Sequence, residues 1–529
     1  MNFDEIKKEI TNNDLHSAYI KLKKVLTADP KNIEALYLTA IVENAFGNYK
    51  NAITYYKKLI KGKKNYIFYD NLGTIYLKLS EYSKARVFFD LSIKINPDNA
   101  DTCSKIGICL AMLNHEVDAI NSFTKALKIK PSLLDALYNI LDIYEKTNKK
   151  SELNKLVNDK IKIYPSNQIL VFYKSFEQED KNVLEEAINS LKNLDLSNEN
   201  LNPHAKKQWD IKISFRMAYL LHKSKKYKDA FQNYSLGNKL VLDNLDNDKI
   251  LKNIFNAKLD KCLEFSTKKL PDQNLKNISN YNLVFHIGFP RSGTTLVDAI
   301  LSAHSKITVL EETPIVENMF QLDNFNILDD ISSKNQEVYN NFYEKELKKY
   351  TKSHLNKKHI IIDKLPLNLI WIRHLSLIFP NSKFIISLRH PLDCILSCYT
   401  QNFVLNPAMV NFLDLNKTAH IYNNAMQIIY NNTSKISNKF YFLKYEDLIL
   451  DFNDNVHNLI NFMNLNWEEN ISNYKEKAIN KDRIRTPSYN QVVMPIYHHA
   501  INKWENYRDQ LNPILPLVKD WIKYFNYKI

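Results

Sequence analysis

The sequence predicts an α-helical repeat array followed by an α/β domain with a central parallel sheet. Three observations support this fold class. Small residues and prolines recur with a period of about 34 residues in the first half. Short β-branched runs alternate with apolar helical segments in the second half, as in parallel sheets. A glycine-bracketed loop joins the first of these runs to a helix, as phosphate-binding loops do.

Length and composition describe a folded chain of several domains. Its 529 residues exceed the size of one ordinary domain, and 45% apolar with 25% charged residues suit a globular protein. No uninterrupted apolar run approaches the ~20 residues that a membrane helix needs, so we expect no membrane span. The charged, amphipathic start "MNFDEIKKEITNNDLHSAYIKL" lacks the apolar core of a secretory signal, which predicts a cytoplasmic location.

The net charge of +14 favours anionic ligands. Lysines are spread along the chain without a polybasic block, and no nucleic-acid-binding motif is present, so we expect no nucleic-acid partner. The five cysteines form no CxxC pair and are interpreted as reduced core thiols. Cys394 and Cys398 lack further zinc ligands nearby, and the adjacent His498 and His499 would diverge on a helix, so we expect no metal.

The first half repeats one helical unit. Alanines recur 33 or 34 residues apart, or at twice that distance, at Ala18, Ala52, Ala85, Ala119 and Ala187. Prolines follow with the same period at Pro30, Pro97, Pro131 and Pro165. Aromatic residues stand four positions after an alanine, and Gly73 and Gly107 occupy equivalent places one helix earlier. Segments such as "EYSKARVFFDLSIKINPDN" resemble the tetratricopeptide repeat, in which small residues let paired helices approach and proline ends the second helix.

The predicted domain organisation follows from this phase. We place the repeats in residues 1–200, with a degenerate unit near Leu153. A polar break precedes a further repeat-like helical pair and linker in residues 201–275, and residues 276–529 form the remaining domain. The resemblance implies a concave surface that binds a protein or peptide. The alternative is a solenoid that only packs on its neighbouring domain.

Four runs in the second half are predicted strands: "YNLVFHIGF", "KKHIIIDK", "SKFIISLRH" and "NKFYFLKYEDL". Apolar-periodic helices such as "LNLIWIRHLSLIF" and "NVHNLINFM" lie between them. The alternation predicts a parallel sheet covered on both faces. Ligands of such folds bind beyond the carboxyl ends of the strands, which is where we expect the chemistry.

Two segments at this edge suit phosphate groups. The loop "GFPRSGTT" has the glycine spacing of a nucleoside-triphosphate P-loop, but Thr294 replaces its lysine. Its backbone N–H groups and the following helix start would wrap an anion, with Arg291 as the positive charge. In "SLRHPLDCILSCYTQ", Arg389 ends a strand and Ser397 follows two turns into a helix, so the pair could grip one phosphate from two sides.

These motifs resemble the sulfotransferases that use 3'-phosphoadenosine 5'-phosphosulfate (PAPS), above all the protein-tyrosine sulfotransferase branch. The resemblance runs through "PRSGTT", "EET", "DKLP", "FPNSKF", "KYEDL" and "PSYNQVVMPIYHHAINKW", about residues 282–505. It implies transfer of a sulfuryl group from PAPS, without a metal, to the hydroxyl of a protein tyrosine, a glycan or a small molecule. Repeats fused ahead of such a domain resemble a bacterial arrangement.

The resemblance also implies roles for individual residues. Glu312 matches the family's catalytic base, Lys364 a lysine that stabilises charge in the transition state, and Ser488 a serine in a similar role. The implied PAPS contacts are Arg291, Ser292, Gly293, Thr294, Thr295, Arg389, Ser397, Tyr445 and Lys503. A second arginine that the family uses for the 3'-phosphate is replaced here by Gln401.

Other interpretations of the same residues are a P-loop kinase or NTPase and a repeat scaffold with an inactive enzyme domain. The kinase interpretation treats "HIIIDK" as a Walker-B strand with Asp363 as a magnesium ligand, but it lacks the P-loop lysine. The scaffold interpretation conflicts with the presence of all three catalytic candidates. At the level of single residues, Glu311 or Glu312 could cap a turn and Lys364 could lie on the surface.

Overall fold

The computed structural model describes residues 3–62, 64–199, 201–245, 248–268, 276, 278–322, 333–351, 359–433, 439–475 and 501–529. The chain forms two compact units, Met1–Glu177 and Gln178–Ile529. The predicted fold class is confirmed, because a helical N-terminal region precedes a domain with a parallel sheet. No helix in the described part of the chain is long and apolar enough to cross a membrane.

The first unit is built from antiparallel helices that follow one another along the chain. The described helices are α1 (Phe3–Thr11), α2 (Leu15–Ala28), α3 (Ile33–Ala45), α4 (Tyr49–Gly62), α5 (Tyr66–Lys78), α6 (Tyr82–Ile95), α7 (Ala100–Met112), α8 (Glu116–Ile129), α9 (Leu134–Lys146), α10 (Lys150–Ile161) and α11 (Gln168–Asp180). Aromatic rings of one helix pack on the small residues of the helix before it. A Cβ on Gly73 would meet the Phe89 ring at 2.7 Å, and a Cβ on Gly107 would meet the Phe123 ring at 2.7 Å.

A residue with left-handed backbone separates the two helices of each pair. Positive φ angles recur every 33 or 34 residues at Asn13, Gly47, Ser80, Asn114 and Asn148. Asparagine and glycine tolerate this conformation better than most residues, so the turns give the repeat a second signature, which the sequence analysis overlooked. Asn148 keeps this phase, and Leu153 is buried at the alanine position. The unit that is degenerate in sequence therefore keeps its helix-turn-helix structure.

The second unit contains a five-stranded, entirely parallel sheet in the order β2-β3-β1-β4-β5. Its strands are β1 (Asn282–Gly288), β2 (Ile307–Glu311), β3 (Ile360–Lys364), β4 (Lys383–Leu388) and β5 (Phe440–Lys444). Four of them are the predicted runs, whereas β2 was not predicted. β2 is short and lies at the sheet edge with two of its five residues buried, so its apolar signal is weak.

Helices cover both faces of this sheet. Those that follow β1 are α16 (Thr294–Leu301), α17 (Ile315–Gln321), α18 (Ser333–Tyr350), α19 (Ile372–Ile378), α20 (Pro391–Tyr399), α21 (Leu415–Thr433), α22 (Tyr445–Leu450) and α23 (Phe452–Phe462), with two further helices at Arg508–Leu511 and Leu515–Tyr524. Side chains alternate along each strand, so Phe285 and Ile361 join one apolar cluster while Val284 and Ile362 join the cluster under α16. Burial on both faces explains why the strands are almost continuously apolar.

Four helices precede the sheet in this unit: α12 (Leu184–Lys192), α13 (Pro203–Lys223), α14 (Tyr227–Asp243) and α15 (Asp248–Thr267). Helices α13 and α14 form a close pair, because Gly237 lies against the ring of Phe215. The Asn238 amide donates to the carbonyl of Tyr399 over 2.9 Å, and the Tyr399 hydroxyl donates to Ser235 over 2.8 Å. The pair is therefore bonded to the end of α20.

Candidate active site

The loop between β1 and α16 has the tight backbone of a phosphate-binding loop. Arg291 and Gly293 lie in the left-handed region, with φ of 71° and 97°. A Cβ on Gly288 would lie 2.7 Å from the Ser387 carbonyl oxygen, and a Cβ on Gly293 would lie 2.6 Å from the Tyr445 ring. Both positions therefore require glycine, because neighbouring atoms leave no room for a Cβ, and Gly293 is also required by its positive φ angle.

Polar groups line the turn from this loop into α16. Thr294 and Thr295 are buried in the first turn of the helix, whose N-terminus carries a positive partial charge. Ser292 is 2% exposed, and its hydroxyl has no hydrogen-bond partner among the described residues. An unpaired buried hydroxyl costs roughly 1–3 kcal/mol, so this position is suited to a ligand oxygen.

The second phosphate candidate lies directly beside the first. The Arg291 Nε donates to the Ser397 hydroxyl over 3.0 Å, and the Arg389 guanidinium donates to the Arg291 carbonyl over 3.2 Å. Arg389 also stacks on Tyr445, with 5.2 Å between its Cζ and the ring centroid. Strands β1 and β4 are adjacent in the sheet, so their carboxyl ends bring the two predicted motifs together.

Lys503 brings a third cation to this cluster from the C-terminal part of the unit. It begins a 3₁₀ turn that is anchored by the Trp504 N–H, which donates to Asp393 on α20 over 2.8 Å. Burial, together with repulsion from Arg389 and Arg291, lowers the pKa of Lys503 to about 8. An anionic ligand would relieve the part of this shift that comes from repulsion among the three cations.

Glu312 and Lys364 form an ion pair at the ends of β2 and β3. The Lys364 Nζ lies 3.0 Å from Glu312 Oε1, and the Glu312 N–H donates to the Lys364 carbonyl over 2.7 Å. Lys364 is fully buried, so it is not a surface residue, whereas the Glu312 side chain is 34% exposed. Burial alone would lower the pKa of Lys364, but Asp298, Glu312 and Glu311 raise it above its usual range. The ammonium group is therefore charged and faces a carboxylate that solvent or an acceptor can reach.

Asp363, the magnesium ligand of the kinase interpretation, lies on the other face of β3. Its Oδ2 accepts a hydrogen bond from the Tyr343 hydroxyl over 2.8 Å, within the apolar layer that also contains Phe285. Burial raises the pKa of Asp363 to about 7, although the Tyr343 hydrogen bond acts in the opposite direction. Strand alternation thus directs Lys364 to the candidate site and Asp363 away from it.

Three of the residues singled out in the sequence, Ser488, His498 and His499, lie outside the described residues. Gln401 follows α20, where its amide donates to the Asn402 carbonyl at 3.4 Å. The structure also contains a buried group that sequence analysis missed, Asp298 with His286, which contacts Lys364. The spacing of Asp298 from the loop gives no hint of this role, because only the folded sheet brings α16 over β3.

Comparisons with known proteins agree with the two-part architecture. Residues 284–469 match the model of the sulfotransferase family, and residues 67–99 match the tetratricopeptide repeat. Similarity to an uncharacterized protein of Aquifex aeolicus (strain VF5) is 26% identity over 422 residues, 78% of this chain and 53% of that protein. The protein-tyrosine sulfotransferase 2 of Gallus gallus is 24% identical over 242 residues, 42% of this chain and 62% of the relative. The chain thus spans less than two thirds of either relative.

A solved tetratricopeptide repeat protein from Parabacteroides merdae is 16% identical, with a TM-score of 0.37, over 47% of this chain and 93% of its own. The family models thus place the similarity to sulfotransferases in the sheet-containing part of the chain and the similarity to the tetratricopeptide repeat in its helical N-terminal part. Protein-tyrosine sulfotransferase 1 of Danio rerio is 25% identical over 255 residues, 44% of this chain and 69% of the relative.

Proposed function

We propose that the chain is a PAPS-dependent sulfotransferase that moves a sulfuryl group to a hydroxyl acceptor. The observation that carries this proposal is the convergence of Arg291, Arg389 and Lys503 around one loop, next to the Glu312–Lys364 pair. Three cations suit a donor with phosphate groups at both ends of its ribose. An acid and a cation at the adjacent strand ends suit transfer to a hydroxyl.

The loop residues Arg291 to Thr295 would hold the 5'-phosphosulfate of PAPS. The unpaired Ser292 hydroxyl and the start of α16 supply donors there, which agrees with the helix N-terminal sites that bind phosphate groups. Arg389 and Ser397 would hold the 3'-phosphate, and Lys503 would add a further charge. Tyr445 would fix the stack of Arg389 against the loop.

In the transfer step, the acceptor oxygen forms a bond to sulfur while the bond between sulfur and the 5'-phosphate oxygen breaks. Glu312 takes the proton of the acceptor hydroxyl, and Lys364 stabilises the charge that develops on the departing oxygen. The products are the sulfated acceptor and adenosine 3',5'-bisphosphate. We assign Ser488 a supporting role in the same step on the family resemblance alone.

The acceptor is proposed to be a tyrosine of a protein or peptide. Its support is the similarity to protein-tyrosine sulfotransferases, together with the tetratricopeptide repeats, which suit a protein partner. A glycan or a small phenol is the other outcome of an acceptor search. We also propose a cytoplasmic location, because all five cysteines are buried free thiols.

The test compares ligands by thermal unfolding of the full chain. Adenosine 3',5'-bisphosphate at 100 times its dissociation constant should add about 2.7 kcal/mol to the free energy of unfolding. ATP or GTP with magnesium serves as the control for the kinase interpretation. If a nucleoside triphosphate with magnesium stabilised the chain and adenosine 3',5'-bisphosphate did not, the proposal would be overturned. Radiolabelled PAPS incubated with a lysate then identifies the acceptor class.

A further inference from the structure

Asp298 is a second, permanent counter-ion of Lys364. It lies on α16, and its Oδ2 is 3.2 Å from the Lys364 Nζ, almost as close as the Glu312 carboxylate. The Asp298 side chain is 4% exposed and Lys364 is fully buried. Burial would raise the pKa of Asp298, but Lys364 and His286 lower it below its usual range, so the carboxylate is charged.

His286, on strand β1, fixes the position of Asp298 on α16. Its Nδ1 donates to Asp298 Oδ1 over 2.8 Å, and its Nε2 lies 2.8 Å from the Ser387 hydroxyl. His286 is on β1 and Ser387 on the adjacent β4, so the chain of hydrogen bonds runs across two central strands to α16. Oδ1 of Asp298 therefore has a hydrogen-bond partner in His286 and Oδ2 an ion-pair partner in Lys364, so the side chain has little freedom to move.

The two acids that face Lys364 most closely differ in what happens to them during transfer. Glu312 is partly exposed and, as the base, becomes neutral when it takes the acceptor proton. A fully buried ammonium group without a charged partner is strongly disfavoured. The remaining nearby acid, Glu311, is 4.0 Å away, at the limit of an ion pair. Asp298 is thus the carboxylate placed to keep Lys364 charged after Glu312 is protonated.

We propose that Asp298, held by His286, is a positioning residue that keeps Lys364 protonated and directed at the leaving oxygen throughout transfer. This inference rests on the proposed sulfotransferase function. It assigns Asp298 no contact with the donor. The groups that face Lys364 are Asp298 from α16, Glu311 from the end of β2, Glu312 directly after that strand, and His286 from the neighbouring strand β1.

The experiment measures transfer from radiolabelled PAPS to a tyrosine-containing peptide and to water, with the full chain and Asp298→Asn. By analogy with residues that support metal ligands, we expect kcat to fall roughly 10- to 100-fold, with the PAPS KM and the affinity for adenosine 3',5'-bisphosphate unchanged within about twofold. Asp298 raises the pKa of Lys364, so its loss should move the alkaline limb of the pH–kcat profile to lower pH. Asp363→Asn is the matched control, because it removes the buried acid on the opposite face of β3.

A second pair of variants keeps the test decisive if Asp298→Asn unfolds. The amide of His286→Asn can still donate to Asp298, whereas His286→Leu cannot, so the first variant should retain more kcat than the second. Wild-type kcat and an unmoved alkaline limb in Asp298→Asn would overturn this inference and leave the proposed function intact. Failure of the wild-type chain to bind adenosine 3',5'-bisphosphate or to transfer sulfuryl groups would overturn the proposed function itself.

Discussion

The guanidinium of Arg291 donates from Nε to the hydroxyl of Ser397 over 3.0 Å, which joins the loop after β1 to the helix after β4. Because Ser397 accepts this bond, its own proton is directed elsewhere and can be offered to a phosphate oxygen. The hydroxyl thus couples the two halves of the proposed donor site.

Ser397→Ala should weaken the binding of adenosine 3',5'-bisphosphate by about tenfold or more, since a hydrogen bond to a charged group contributes ~1.5–3 kcal/mol. Isothermal titration calorimetry measures this loss. Ser376→Ala is the control, because among the described residues that hydroxyl donates to the Arg373 carbonyl within α19. Equal affinity in both variants would contradict a phosphate contact at Ser397.

Glu312→Gln should lower kcat by ~10²- to 10⁴-fold while the affinity for adenosine 3',5'-bisphosphate survives, as expected for loss of a general base. Single-turnover transfer from radiolabelled PAPS measures the chemical step. Glu311→Gln is the neighbouring control and should retain most of the rate. Full activity of Glu312→Gln would remove the base from this position.

Donor binding should depend on pH through Lys503. Its pKa of about 8 means that the ammonium group is charged below that pH and neutral above it, so affinity for the anionic ligand should fall as pH rises through about 8. Calorimetric titrations between about pH 7 and about pH 9 measure the slope. Lys503→Arg should bind with little pH dependence, because arginine stays charged. A slope that persists in this variant would assign the dependence to another group.

Asp363→Asn should retain donor affinity and kcat, because Asp363 faces Tyr343 and not the loop. Between its ordinary pKa of 3.8 and its folded pKa of about 7, the folded Asp363 holds a proton that the unfolded chain has lost. Stability from this group therefore declines as pH rises through that window. As pH rises through the same window, the unfolding temperature of the variant should increase relative to that of the wild type. A magnesium-dependent loss of activity would instead support the kinase interpretation.

Periodicity in the sequence was sufficient to predict those elements of the fold whose residue pattern lies within one short segment. The alanine and proline phase predicted the helical repeats, and four apolar runs predicted four strands of the parallel sheet. Strand β2 was not predicted, because an edge strand with few buried residues lacks a strong periodic signal in the sequence. The left-handed asparagines of the repeat turns were readable in principle, since they recur in phase with the alanines.

Only those residues of the candidate site that belong to a sequence motif could be predicted. The sequence resemblance named Arg291, Glu312, Lys364 and Arg389, and the fold places them at one edge of the sheet. Asp298 and His286 carry no motif, because their partners come from other strands and from helix packing. Ion-pair geometry of this kind depends on tertiary contacts that one sequence does not display.

The strand order also determines the stage of synthesis at which the sheet edge that carries the candidate site can form. β1 lies between β3 and β4, and both are synthesised after it, so the loop bearing Arg291 emerges from the ribosome before either supporting strand. Until they arrive, β1 has two edges with unpaired backbone N–H and C=O groups and two exposed apolar faces, and non-local parallel pairing is slow. The centre of the sheet therefore cannot form before β4 is complete, and the interval before that point is the stage at which the nascent chain most needs protection from aggregation.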